Sequence, residues 1–298
     1  MMQSQSRAFF YAGLTILFWS TVATAFKIAL EGMPPLDLLF WSTCSSVVLL
    51  FLAGLFGGQI RLMFRGSLRD YLRSALLGFI NPFVYYLVLF KAYSLLPAQV
   101  AQPLNMVWPI VLVFLSVPFL GTRVPLRSYF ALMICLAGVF FISARGKIAG
   151  YQITEPLGVS LSLGSSLIWA TYWLLNMKDA RDEVHKLFQS FLFAFIYLLI
   201  TQSIWGGFSI PAPRSLIAGI YVGIFEMGLS FIFWLKALKY AKSPDQISSF
   251  MYLFPFLSLI FIHFILGETI YPTTFIGLIL IVAGIFFHKY RFQTKNTV

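Results

Sequence analysis

Glu226 stands in the run IYVGIFEMGLSFIFWL (residues 220–235), an acid among residues that otherwise favour oil. A carboxylate in hydrocarbon costs at least ~2.5–3.5 kcal/mol on insertion scales, so it must face protein or water. There it can take up and release a proton, or hold a substrate ammonium. The alternative is a carboxyl hydrogen-bonded to a neighbouring helix, which fixes packing only. Asn81 has the comparable address: it lies ten residues before Lys91, as Glu226 lies ten before Lys236. Tyr85 follows Asn81 one helical turn later, on the same face. A polar pair at these positions suits a binding site. Equally, Asn81 can serve as a hydrogen bond between helices, worth ~0.6–2 kcal/mol.

Other polar and aromatic residues fall at helical spacing. Gln99, Gln102 and Asn105 recur every three residues, and Pro103 and Pro109 interrupt the same stretch. Proline bends a helix and frees backbone carbonyls, which can bind polar groups at membrane depth; the alternative is interhelical glue with ordinary kinks. Trp169, Tyr172, Trp173 and Asn176 share one face (i, i+3, i+4, i+7). Such a face can stack on a planar substrate or hold a cation, or it can sit at headgroup depth facing lipid. Tyr252, ahead of Pro255, and Trp19 and Thr21, near the chain start, carry the same two readings.

The elements that position these residues are apolar blocks. The 298-residue chain is 59% hydrophobic and only 10% charged, where a soluble protein carries about a quarter charged residues. A spanning helix needs ~20 apolar residues. Ten blocks fit, at about 7–29, 36–57, 70–93, 97–118, 126–144, 156–176, 187–206, 215–238, 244–266 and 271–289. They are too long for strands and lack the alternation of a membrane barrel. The expectation is an all-α polytopic membrane protein of ten transmembrane helices.

The net charge of +11 does not mark a nucleic-acid binder, because the cations are dealt out between blocks. With the N-terminus inside, Arg61, Arg65, Arg69, Arg73, Arg123, Arg127, Lys178, Arg181, Lys186, Lys239, Lys242, Lys289, Arg291 and Lys295 fall on the cytoplasmic side, as the positive-inside rule asks. Both termini are then cytoplasmic. Arg145 and Lys147, with Arg214, fall outside. Ala23-Thr24-Ala25 resembles a leader cleavage site; retention is expected, since Arg7 alone makes a weak n-region and removal would spoil the charge alternation.

The chain is also written twice. WPIVLVFLSVPFLGTRVPLRSYFALMICLAGVFF is matched by FPFLSLIFIHFILGETIYPTTFIGLILIVAGIFF. Pro109 pairs with Pro255, Gly121 with Gly267, and Ala137-Gly138-Val139-Phe140-Phe141 with Ala283-Gly284-Ile285-Phe286-Phe287. Lys91-Ala92 pairs with Lys236-Ala237, and Trp19-Ser20-Thr21 with Trp169-Ala170-Thr171. Five helices per copy is odd, so the second copy enters the membrane inverted, a 5+5 inverted-topology repeat common among secondary transporters. The expected domains are residues 7–144 and 156–290.

On these residues, with Leu266-Gly267-Glu268 after helix 9, the chain resembles the drug/metabolite transporter superfamily, EamA type. Thr122 stands where Glu268 stands in the second copy. LFWST (17–21) and LNMVWPIVLVF (104–114) look like the aromatic amino acid exporter branch. The resemblance implies a carrier with its cavity between the halves, exporting amino acids or related small metabolites by alternating access, or else drugs or other metabolites. It implies a proton-driven, exchange-driven or facilitative carrier, with a small-molecule substrate and the lipid bilayer as partners and protons as one option for the coupling ion; no cofactor is expected.

Asp179-Ala180-Arg181-Asp182-Glu183 is the sole support for an intramembrane transferase using a metal-bound diphosphate. A solvated loop, with Lys178, Arg181 and Lys186 neutralising it, is the simpler reading. No P-loop, HExxH or nucleophile elbow occurs, so no enzyme is expected. A non-transporting scaffold is the third reading, but it leaves Glu226 and Asn81 without a reason. Cys44 and Cys135 suit buried packing, Gly121 and Gly267 suit left-handed caps, Lys27, Lys91 and Lys236 suit interfacial anchoring, and His263 reads as structural.

Overall fold

A computed structural model describes residues 5–121, 124–146, 155–206, 209–241, 247 and 250–289. Thr122, Arg123, Lys147, Lys242, Arg291 and Lys295 lie outside the described residues. Among those described, eight helices are long and apolar enough to cross a membrane: α1 Gln5–Leu30, α2 Pro35–Phe56, α3 Leu68–Leu95, α4 Ala98–Phe119, α5 Leu126–Ser143, α6 Pro156–Asn176, α7 Glu183–Trp205 and α8 Pro213–Tyr240. Two shorter apolar helices follow, α9 Met251–Leu266 and α10 Pro272–His288.

Local chemistry sets the helix ends. Proline opens α2, α6 and α8 within the first turn, where its missing N–H costs nothing. Ser67 and Asp70 close a capping box on α3. Gly121 and Gly267, φ +67° and +69°, adopt the left-handed conformation expected after α4 and α9, which glycine takes without Cβ strain. Helix α4 is broken between Asn105 and Trp108, next to Pro109, as the prolines predict.

Two compact units form. Of the described residues, those within Met1–Phe90 and Asp179–Leu266 make unit 1, and those within Lys91–Lys178 and Gly267–Val298 make unit 2. Neither unit follows the sequence halves; each draws helices from both copies.

In unit 2, α5 packs along α10 and α4 against α6. A Cβ at Gly138 would lie 2.6 Å from the Gly277 carbonyl oxygen, and one at Gly284 2.7 Å from Cys135 Sγ. Small residues let these two backbones touch, as in membrane helix pairs. Cys135 is buried there, its Sγ 3.6 Å from the Ile281 carbonyl.

In unit 1, α1 packs on α8 and α9, α2 on α7 and α8, and α3 on α7. Two glycines set the approach. A Cβ at Gly78 on α3 would collide with the Ser190 carbonyl of α7, and one at Gly223 on α8 with the Ser42 carbonyl of α2. The regular helix gives way at both places: α3 kinks within Phe79–Val84, directly after Gly78, and α8 widens into π-helical turns over Val222–Leu229, a stretch that includes Gly223.

Candidate functional site

Those two irregular segments hold Asn81 and Glu226, the pair singled out by the lysine alignment. π-Helical turns are rare and recur at functional sites. In α3 the cause is visible: Pro82 disfavours the helical region for the residue before it, and Asn81 is extended, φ −146° and ψ 119°. The helix resumes at once, so Asn81 sits on a kink with its side chain completely buried. Neither its amide nitrogen nor its amide oxygen has a hydrogen-bond partner among the described residues. Leaving such a group unmatched costs about 1–3 kcal/mol.

Glu226 lies at the middle of α8. Tyr86 Oη, from α3, donates to Glu226 Oε1 at 3.0 Å. Oε2 is buried and has no partner among the described residues, so one of the two carboxylate oxygens is left unmatched there. No Lys or Arg among the described residues forms an ion pair with it.

Aromatic pairs also join α1 to α8 and α1 to α9. Tyr221 and Phe225, the latter next to Glu226, lie 4.5 Å apart, and Phe18 of α1 meets Phe225 edge-on at 4.8 Å. Thr21 Oγ1 bonds the Phe18 carbonyl at 2.8 Å and lies 2.6 Å from Tyr221 Oη. With its own hydrogen given to Phe18, Thr21 accepts from Tyr221. Trp19 is buried between Trp234 (5.6 Å) and Phe254 (5.8 Å), and the adjacent Ser20 donates to the Phe254 carbonyl at 3.2 Å. Tyr85, buried, meets Tyr86 edge-on at 4.7 Å. Tyr252 lies on the short turn Met251–Leu253 ahead of Pro255, part-exposed. Unit 1 therefore holds Trp19, Thr21, Tyr85 and Glu226 on α1, α3 and α8, with Asn81 in the kinked segment that Tyr85 follows.

Tyr86 and Tyr221 were not foreseen. Counting one α-turn from Asn81 leads to Tyr85, but the break at Asn81 and the wider turn behind it shift the register, and the next residue reaches the acid. Tyr221 was open to detection, being spaced i, i+4 with Phe225 on the helix that carries Glu226.

The remaining candidates are in unit 2. Asn105 Nδ2 donates to Ser165 Oγ at 2.7 Å, and Ser162 Oγ to the Ala101 carbonyl at 2.7 Å, so this face of α4 does tie helices together. Gln102 is buried, with its Oε1 unpartnered among the described residues. Trp169 and Tyr172 are buried, 5.8 Å apart, which sets aside the lipid-facing reading for both. Gln99 has a different task. Glu268 accepts from the Ala98 N–H at 2.8 Å, the Gln99 N–H at 3.3 Å and Gln99 Nε2 at 3.2 Å, capping the N-terminus of α4 from the turn after α9. A carboxylate there satisfies orphan donors and opposes the helix dipole.

The acidic cluster in the loop before α7 is not solvated at Asp179. That residue is 4% exposed, and both its carboxylate oxygens accept from Arg181, at 2.6 Å from Nη2 to Oδ2 and 2.9 Å from Nε to Oδ1. Burial works against its charge, yet the Arg181 guanidinium prevails and holds the carboxyl below the usual range. Arg181 also donates to Gln189 Oε1 (2.7 Å) and Ser74 Oγ (2.9 Å). The cluster is a clasp, with no carboxylate oxygen of Asp179 left over for a diphosphate-bound metal.

Comparison with known proteins agrees with this architecture. The model of the EamA-like transporter family matches residues 6–144 and again 156–288. An uncharacterized transporter YvbV of Bacillus subtilis is 24% identical over 277 residues, 91% of this chain and 87% of the relative. A protein named aromatic amino acid exporter YddG, from Ancylobacter novellus, is 25% identical over 242 residues, 79% of this chain and 81% of its own. An uncharacterized transporter of Archaeoglobus fulgidus is 26% identical over 164 residues, and there the match spans 54% of this chain and 56% of the relative. One solved crystal structure covers 99% of this chain and 100% of its own at a TM-score of 0.67 and 20% identity, a likeness of fold alone.

Proposed function

Because the chain belongs to the EamA-like transporter family and is a multi-pass membrane protein, we propose that it is a secondary transporter that exports amino acids or related small metabolites by alternating access. In this reading residues 7–144 and 156–290 are the two inverted five-helix repeats, both termini are cytoplasmic, and the substrate site is the Glu226 group of unit 1. The observation that carries the proposal is the buried Oε2 of Glu226, without a partner among the described residues, on a carboxylate held at mid-helix by Tyr86. An acid that forms no ion pair among the described residues is complementary to a ligand ammonium or to a proton. The aromatic residues of unit 1 suit the apolar part of an amino acid or a flat amine. Asn81 can give and accept a hydrogen bond, which suits the substrate's polar end. The relative named as an aromatic amino acid exporter supports this class.

An organic cation fits the same acid and rings, so the alternative is a drug or other metabolite carrier. Proteoliposomes preloaded with single amino acids, with labelled counterflow measured at two pH values, separate the readings. Wild type is expected to exchange at least one amino acid. Glu226→Gln is expected to lower that exchange about a hundredfold, the cost of stripping one partner from a desolvated charge pair, about 3 kcal/mol. Unchanged rate and pH dependence in the variant would make Glu226 a packing residue. No wild-type counterflow with any amino acid would remove the amino acid reading and leave the carrier of other metabolites to be tested.

A further inference from the structure

The connection from α2 to α3 and the first turns of α3 carry Arg61, Arg65, Arg69 and Arg73, one every four residues, and Asp70 as the one carboxylate among them. Asp70 is committed: its Oδ2 accepts from the Ser67 N–H at 2.9 Å and Ser67 Oγ at 2.7 Å. Arg73 leans toward Asp179 at 4.0 Å. Arg61, Arg65 and Arg69 are exposed, and none forms an ion pair with a described carboxylate. Interleaved with them are large apolar side chains in the open: Leu62 and Phe64 on the connection, and Leu68, Leu72 and Leu76 as an i, i+4, i+8 stripe on α3, with Leu68 75% exposed. Water would penalise that stripe, whereas hydrocarbon would not.

The connection is also built, not loose. Met63 turns inward and is buried against Gly54. Gln189 Nε2 donates to the Met63 carbonyl at 3.0 Å, Tyr71 Oη to the Phe64 carbonyl at 2.7 Å, and Arg181 Nη1 to the Asp70 carbonyl at 3.4 Å. The buried clasp around Asp179 thus grips the backbone from within and leaves the arginines outward. Guanidinium groups bind phosphate oxygens in pairs, and their stems run along apolar surface with the charge at headgroup level.

We propose that this face is a binding site for an anionic phospholipid, with the headgroup phosphate held by Arg61, Arg65 and Arg69 and the acyl chains lying along Leu68, Leu72 and Leu76. The exposed apolar stripe beside the arginines selects a lipid over a free phosphate. A juxtamembrane cation near an anionic leaflet gains about 1 kcal/mol, a factor of about five.

The test uses the full chain, purified in detergent and delipidated, with dioleoylphosphatidylglycerol, dioleoylphosphatidylcholine or inorganic phosphate added separately. Lipid retention is read by native mass spectrometry, and thermal stability by the unfolding midpoint. Wild type is expected to retain the phosphatidylglycerol and be stabilised by it, to respond little to the phosphatidylcholine, and to ignore phosphate. Each of Arg61→Gln, Arg65→Gln and Arg69→Gln should weaken retention about fivefold, and the triple variant about a hundredfold. The comparison of the two lipids on wild type needs no variant, so it stands even if the triple variant misfolds. Equal response to both lipids, undiminished phosphatidylglycerol retention in a folded triple variant, or stabilisation by phosphate alone would each overturn the proposal.

Discussion

The kinked segment of α3 and the mid-segment of α8 are built to one plan and carry different chemistry. In each, a glycine is tucked against a serine carbonyl of a neighbouring helix, Gly78 on Ser190 and Gly223 on Ser42, beside or within an irregular stretch of helix. In each, a polar residue stands ten positions before a Lys-Ala pair. There the likeness ends. Helix α3 breaks at Asn81, ahead of Pro82, and presents a neutral amide, buried and without a partner among the described residues; α8 stays helical and presents a carboxylate braced by a tyrosine from α3. The frame is repeated while the charge is placed once. On the proposed reading, the acid and the amide suit a molecule with an ammonium at one end and a neutral or anionic polar group at the other.

The frame is the part whose loss should cost most. Gly78→Ala and Gly223→Ala each force a methyl group onto a backbone carbonyl that cannot step aside. Each is expected to destabilise by about 1–3 kcal/mol, as overpacking does, and the two by similar amounts. Unfolding midpoints in detergent, with size-exclusion profiles, check this. If one glycine tolerates alanine and the other does not, the two contacts are not equivalent and the comparison fails at its structural root.

The chemistry of the two arms can then be separated from their packing. An amide buried without a partner among the described residues is a liability to the fold, so Asn81→Leu is expected to hold or raise the unfolding midpoint, by up to about 1–3 kcal/mol. It should lower transport at the same time, the trade usual at binding sites. A loss of both stability and transport would mean that Asn81 supports the kink rather than a ligand. A gain of stability with full transport would leave the carboxylate arm alone in the site.

How much of this was legible in the sequence depended on the range of the interaction. Glu226 was legible because an acid in an apolar run has few places to go, and Asn81 because the matched lysines gave its address. The caps at Gly121 and Gly267 were legible because only local backbone chemistry is involved. Tyr86 was not, since helical spacing cannot be carried through the extended residue ahead of Pro82. The Glu268 cap on α4 and the Asp179–Arg181 clasp were hidden for another reason. The first joins positions far apart in sequence, and the second turns a run that reads as solvated into a buried ion pair. Nor does internal repetition show how helices partition: both compact units mix the two copies.

Tyr86→Phe is the finest probe of the asymmetry. It removes one hydroxyl and keeps the ring, so packing against Tyr85 and Phe90 should persist and the unfolding midpoint should stay nearly constant. The hydroxyl now occupies Oε1 and holds the carboxylate in place while Oε2 stays open. Removing it frees both oxygens and loosens their aim, for a cost of about 1 kcal/mol in the net bond, or about fivefold in half-saturation for the transported substrate. A fivefold weaker half-saturation with an unchanged maximal rate would show that α3 serves the acid of α8 by orienting it. If neither parameter moves, the Tyr86 bond is packing alone, and α3 contributes to the site through Asn81 or not at all.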